Sequence, residues 1–208
     1  MKEKPESTQA IDTLLSVMSR LRDPEAGCPW DIKQTWKTII PHTLEEVYEV
    51  ADAVDRDDAE ALRDELGDLL FQVVFMAQIA SDNGLFDFDD VAQGIADKMV
   101  RRHPHIFDDV VYNNEWEQKQ AWEAIKQSER EGKQQDDFFA DIPAAMPALR
   151  RSQKIQKRAG RVGFDWSDWR LVIPKVQEEL DEVVEAVENA ESFERIEEEV
   201  GDVLMSAT

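Results

Sequence analysis

One cysteine, Cys28, stands in a chain of 208 residues, which excludes an intrachain disulfide and a thiolate zinc cluster. Basic residues are also scarce. Lys and Arg number 24 against 46 Asp and Glu, a formal net charge of −22 and a sequence pI near 4.4. That balance opposes attraction to a phosphate backbone and excludes a general nucleic-acid coat. Long apolar runs are missing: the longest, Leu69 to Ala80, is interrupted by Gln72 and Gln78 and is too short to span a bilayer. The opening MKEKPESTQA is polar, without the apolar stretch of a secretory signal. These features predict no nucleic-acid partner, no membrane association and a cytoplasmic setting. With 42% hydrophobic and 34% charged residues, the composition is that of a globular chain and not of an acidic disordered tail.

Periodicity gives an all-α reading, because few segments alternate with a period of two. Ile11, Leu14, Leu15, Met18 and Leu21 mark a first helix that Asp23-Pro24 ends. Gly27-Cys28-Pro29-Trp30-Asp31 reads as a loop. A second helix is predicted from Thr43, with Thr43 and Glu46 forming a capping box. Leu62 to about Ser81 forms a third, stopped by Asn83-Gly84, and Phe88, Val91, Ile95 and Met99 mark a fourth ending at Arg101-Arg102-His103-Pro104. The chain then turns polar. The segment 108–141 reads as a linker with a short helical patch from Trp116 to Lys126, separating a helical domain over 8–107 from the start of another over 142–208.

Internal similarity supports that division. LEEVYEVADAV from Leu44 resembles QEELDEVVEAV from Gln177 at an offset of 133, and DELGDLLF from Asp64 resembles EEVGDVLM from Glu198 at an offset of 134. A looser echo links Gly-Cys-Pro-Trp-Asp at 27–31 with Gly163-Phe164-Asp165-Trp166. The second copy stops at Thr208, where the first continues, so it reads as truncated. An isolated helical hairpin buries little, which predicts four-helix-bundle-like cores completed by dimerisation.

The repeated segments are rich in carboxylates. Glu45, Glu46 and Glu49 project from neighbouring rows of one helix face, and Glu65 and Asp68 lie three apart on the next helix. A hairpin brings the two sets together. Carboxylates held about 4 to 6 Å apart repel by several kcal/mol at an effective dielectric near 20, so either their pKa values rise or a divalent cation sits among them. Oxygen-only ligands favour Mg²⁺, with Mn²⁺ as a substitute, and Mg²⁺ shares itself with substrate phosphates. For a single EExxE a solvated helix face is the plainer explanation. Recurrence in Glu178, Glu179, Glu182, Glu199 and Asp202 favours metal binding instead. Gly67 and Gly201 add to this, since a helix-interior glycine costs about 1 kcal/mol relative to Ala and its repetition implies a packing or site demand.

GCPWD at 27, TLEEVYE at 43, ELGDLLFQVVF at 65, RRHPHIF at 101, KIQKRAGRVGFDW at 154, EELDEVVE at 178 and EEVGD at 198 together resemble the MazG-type nucleoside triphosphate pyrophosphohydrolases of the all-α NTP pyrophosphatase group. The resemblance covers nearly the whole chain. Its metal motif, EExxE followed by ExxD, falls on Glu45, Glu46, Glu49, Glu65 and Asp68, and again on Glu178, Glu179, Glu182, Glu199 and Asp202. It implies Mg²⁺-dependent hydrolysis of NTPs or dNTPs to the monophosphate and pyrophosphate, a nucleotide-pool housecleaning role, and a homodimer. Glu46, Glu49, Glu179 and Glu182 are then the candidate catalytic carboxylates. In two-repeat members the second copy carries most of the activity, with Lys and Arg from a later helix and an aromatic near the C-terminus that this sequence does not contain.

Other residues are weighed beside these. Lys98, Arg101 and Arg102 suit triphosphate oxygens, although cations at a helix end also complement its dipole. Lys175, four residues before Glu179, is within reach of phosphate at the second site, beside Glu178. Trp30 and Trp166 suit stacking on a nucleobase, with core packing the more economical reading. Arg150, Arg151, Lys154, Lys157, Arg158 and Arg161 form a basic helical face suited to acidic surfaces of the other copy or another subunit. His42, His103 and His105 include no i, i+4 pair, which argues against zinc, and none follows a Glu by three residues as a di-iron bundle requires. No P-loop and no G-x-G-x-x-G occurs. The competing reading is a catalytically silent nucleotide-binding or dimerisation scaffold.

Overall fold

The computed structural model describes residues 9–131, 138–140, 142–166 and 168–208; the opening MKEKPEST and part of the expected linker lie outside the described residues. Among the described residues the chain is helical, with no strand. It divides into two compact units, Met1–Glu123 and Ala124–Thr208.

The first unit opens with α1 (Ala10–Leu21) and α2 (Pro29–Lys33), followed by α3 (Trp36–Asp55) and α4 (Ala59–Asp82). α5 (Phe88–Arg102) and α6 (Pro104–Phe107) continue it, and α7 (Glu115–Glu131) runs across the division, longer than the patch the sequence predicts. The core is built by Met18 of α1, Ile39 of α3 and Val74, Phe75 and Ile79 of α4, with Leu14, Leu15, Phe71 and Phe88 packed around it.

Two local expectations are corrected. The segment around Trp30 is a short helix, because Pro29 occupies its first turn, where the missing amide costs nothing. The loop ahead of it closes tightly: Gly27 and Cys28 donate to the carbonyls of Asp23 and Leu21 at 2.9 and 2.8 Å, and a Cβ on Gly27 would lie 2.5 Å from both carbonyl oxygens. The second correction concerns α3, which starts at Trp36 and not near Thr43. Thr35 and Thr38 form the capping box there, while Thr43 donates its hydroxyl to the Ile39 carbonyl within the helix. Pro41 lies inside the helix, two residues after buried Ile39.

α3 and α4 form a helical hairpin. The α3 end is a Schellman-type cap in which Asp57 takes a left-handed φ of 53° and the Asp58 amide returns to the Ala53 carbonyl at 3.0 Å. Asp58 then caps α4 through the amides of Glu60 and Ala61.

The second unit contains α8 (Ala148–Arg161), a 3-10 turn over Trp169–Leu171, α9 (Val172–Glu188) and α10 (Phe193–Ser206). α9 and α10 repeat the hairpin. Ala190 has φ 51°, Glu191 donates to the Ala186 carbonyl at 3.0 Å, and Ser192 caps α10 through the Arg195 amide. Glu191 is the extra residue between the left-handed position and the cap, which accounts for the change of offset from 133 to 134. The basic face expected on α8 is broken at Arg158, which is buried. Its guanidinium donates to the Phe138 carbonyl at 2.8 Å and lies over that ring. No helix among the described residues is long and apolar enough to cross a membrane.

Candidate metal centre

In the first unit, α3 presents Glu46 and Glu49 toward α4, which presents Glu65, and one carboxylate oxygen from each lies within 4.8 Å of the others. Glu45 is exposed and stands outside this trio. Asp68, one turn beyond Glu65, is also exposed and outside it, yet its charge is felt there. Glu46 is pushed above the ordinary glutamate value of 4.5 by burial and then by Asp68 and Glu49, against a hydrogen bond from Gln72 that pulls it down. Glu65 is pushed up by burial, Glu49, Asp68 and Asp64, and Arg56 draws it back by less. Raised carboxyls and mutual repulsion mark a cluster with too little positive charge of its own.

The second unit gathers Glu179, Glu199 and Asp202 within 4.8 Å. Glu182 is half-buried and outside that trio, raised by burial and by the charges of Glu179 and Glu199. Glu179 and Glu199 are only 6% and 3% exposed, and each carries a cation from its own helix. Lys175 Nζ lies 2.9 Å from Glu179 and 3.2 Å from exposed Glu178, contacts that push the ammonium above its ordinary value. Arg195 pairs with Glu199 and, at 2.7 Å, with Glu198. The matched positions in the first unit, at offsets 133 and 134, are His42 and Ala61. The first cluster therefore lacks both cations.

The remaining candidates are placed differently. Lys98, Arg101 and Arg102 lie at the end of α5, and the Arg102 guanidinium lies 5.6 Å from the centre of the Trp122 ring. Trp30 and Trp166 are 53% and 55% exposed, so the core-packing expectation fails for both. Trp30 meets His42 and Phe75 edge-on at 6.0 and 6.4 Å. Added Cβ atoms on Gly67 and Gly201 would meet nothing within 4 Å, so packing inside each hairpin does not require these glycines. A cavity of about 520 Å³ opens elsewhere in the first unit, lined by Leu15, Ser19, Val74, Gln78 and Phe88, and contains none of the clustered carboxylates.

Sequence reading passed over two residues that shape these sites. Arg195 carries a legible signal, four residues before Glu199 on the same helix face. Gln72 is legible only as an interruption of the apolar run, one turn after Asp68.

In the first cluster, all-oxygen donors, close approach, the raised proton affinity of Glu46 and Glu65 and the shortage of cations fit a hard divalent ion, Mg²⁺ or Mn²⁺. The fold and the duplicated acidic hairpin define a class of all-α protein with repeated carboxylate clusters, and comparison with known proteins identifies the family. The MazG nucleotide pyrophosphohydrolase domain matches residues 34–107 and 169–208. The nucleoside triphosphate pyrophosphohydrolase of Escherichia coli K12 is 54% identical over 197 residues, 94% of this chain and 75% of that protein. The nucleoside triphosphate pyrophosphohydrolase/pyrophosphatase MazG of Thermotoga maritima is 43% identical over 196 residues, 94% and 73% of the two chains. A Mycobacterium tuberculosis nucleoside triphosphate pyrophosphohydrolase is 39% identical over 152 residues, 72% and 45%. The chain belongs to the MazG family.

Proposed function

We propose that this chain hydrolyses nucleoside triphosphates to the monophosphate and pyrophosphate, with Mg²⁺ held by Glu46, Glu49 and Glu65 in the first unit and by Glu179, Glu199 and Asp202 in the second. Mn²⁺ is the expected substitute. The observation that carries this reading is the recurrence, on two equivalent hairpins, of three carboxylates converging within 4.8 Å. The relatives named above as nucleoside triphosphate pyrophosphohydrolases support the substrate class.

The residues divide the work by environment. Glu46 and Glu49 in the first unit and Glu179 and Glu182 in the second are the candidate catalytic carboxylates, suited to hold the cation and to orient an attacking water. Glu49, Glu65 and Asp68, like Glu199 and Asp202, concentrate negative charge where a cation would be held. When bound, Mg²⁺ polarises a phosphoryl oxygen and neutralises charge on the leaving pyrophosphate. Lys175 can exchange Glu178 and Glu179 for phosphate oxygens, and exposed Trp30 offers an indole face to a base. Lys98, Arg101 and Arg102 remain candidate triphosphate contacts.

A homodimer is part of the proposal. Leu44, Val47, Val54, Leu66 and Leu70 on the first hairpin are exposed, as are Leu180, Val187, Val200 and Leu204 on the second. Apolar helix faces of this kind are buried when a second copy completes a four-helix bundle. We place the protein in the cytoplasm, where nucleoside triphosphates are made and used.

The test is pyrophosphate release from a panel of NTPs and dNTPs with and without Mg²⁺. Activity that needs the metal and falls by at least about 100-fold in Glu46→Gln or Glu49→Gln combined with Glu179→Gln supports the reading. Tight nucleotide binding without product would favour a silent scaffold.

A further inference from the structure

The buried residues of α4 are Val74, Phe75, Ala77, Ile79 and Ala80, with one polar exception, Gln72. Gln72 is 7% exposed. Its Nε2 donates to Glu46 Oε1 at 3.2 Å, while its own Oε1 is buried with no hydrogen-bond partner. Packing alone does not account for a glutamine here. An apolar residue of similar volume would fill the space without leaving an acceptor desolvated and unsatisfied. The amide orientation is set by chemistry, since turning it over would press its carbonyl oxygen against the Glu46 carboxylate.

The two units hold equivalent glutamates in different ways. Glu46 and Glu179 match at the offset of 133, but Glu179 is held by the Lys175 ammonium, whereas Glu46 is held by a neutral amide. The residue matching Gln72 in the second unit, at the offset of 134, is Ser206. A neutral donor fixes the direction of a carboxylate and leaves its charge available. An ammonium fixes it and cancels the charge.

We propose that Gln72 is a positioning residue of the first cluster: its buried amide holds Glu46 in the orientation in which that carboxylate, with Glu49 and Glu65, receives a divalent cation. This rests on the metal-dependent reading above and deepens it. Changing an outer group that orients a metal-binding carboxylate typically weakens metal affinity by about 10- to 100-fold.

The test is titration of the full chain with Mn²⁺ alone, followed by paramagnetic resonance, in a Glu179→Gln/Glu199→Gln background that leaves only the first cluster intact. In that background Gln72→Leu is expected to weaken Mn²⁺ binding by roughly tenfold, with the metal-free melting temperature unchanged or higher because a buried unsatisfied acceptor has gone. Gln72→Asn, which keeps an amide but withdraws it by one methylene, weakens binding too and serves should the Leu variant fold poorly. In the otherwise unaltered chain, Gln72→Leu raises the Mg²⁺ concentration needed for half-maximal pyrophosphate release more than it lowers the rate at saturating Mg²⁺. Wild-type affinity in both variants overturns the role of Gln72 and leaves the metal reading intact. If the background chain binds no Mn²⁺ at all, the metal reading of the first cluster fails and the role of Gln72 fails with it.

Discussion

Lys175 and Glu179 form an ion pair of 2.9 Å within α9, and the first hairpin has His42 at the position matched to the lysine. The ammonium occupies the carboxylate that a metal would use. Lys175→Met is therefore expected to tighten Mn²⁺ binding at the second cluster severalfold in the absence of nucleotide, since a neighbouring positive charge is removed from a partly desolvated site. The check is a Mn²⁺ titration of the full chain with Glu46 and Glu49 changed to Gln. Unchanged or weaker binding would show that the pair does not compete with the cation.

The raised carboxyls of the first cluster give a pH signature with a defined sign. Folding raises the proton affinity of Glu46 and Glu65 above the ordinary 4.5, so the metal-free folded state binds these protons more tightly than the unfolded chain does. Their contribution favours folding fully below pH 4.5 and is lost as the pH rises through their raised values. At neutral pH the ionised cluster opposes folding in the absence of metal. Glu65→Gln should therefore melt higher than the parent at pH 7 without metal, and the advantage should vanish near pH 4.5. Thermal denaturation of both chains in EDTA measures the difference directly. An advantage that grows on acidification would contradict the assignment.

Two classes of glycine separate backbone need from site need. Gly27→Ala puts a methyl 2.5 Å from the Asp23 and Leu21 carbonyl oxygens, and overpacking of this kind costs about 1–3 kcal/mol. Gly67→Ala and Gly201→Ala meet open space inside helices, where Ala is favoured by about 0.5–1 kcal/mol. Urea denaturation should show the first variant destabilised and the other two stabilised. Loss of pyrophosphate release in the stabilised variants would then place the demand for glycine at the site or at a second copy.

The exposed apolar face of the first hairpin predicts self-association. Leu66→Glu places a charge on that face, which is solvent-exposed in the single chain, and should convert a dimer to monomer in sedimentation analysis with helicity retained. A parent chain that sediments as a monomer at micromolar concentration would contradict the dimer.

Much of this architecture is legible in the sequence because it depends on local patterns. The apolar stripes gave the long helices, Asn83-Gly84 marked a true stop where Gly84 adopts a φ of 67°, and the spacing of glutamates placed carboxylates on facing helices. The start of α3 differs from the expectation because Thr43 and Glu46 carry the capping-box pattern inside the helix. Burial of Ile39 and the Thr35–Thr38 cap extend the helix past them, a tertiary preference that overrides local propensity. Which carboxylates converge was not legible either: Glu45 and Glu46 are adjacent in sequence, but rotation by one residue takes Glu45 out to solvent. Gln72 reads as a break in an apolar run until its partner across the hairpin is known.

Anomalous diffraction from Mn²⁺-soaked crystals tests the central claim most directly. The carboxylate arrangement predicts a peak bounded by the oxygens of Glu46, Glu49 and Glu65, lost in Glu49→Gln. Density for manganese elsewhere only, with those three side chains turned to solvent, would contradict it.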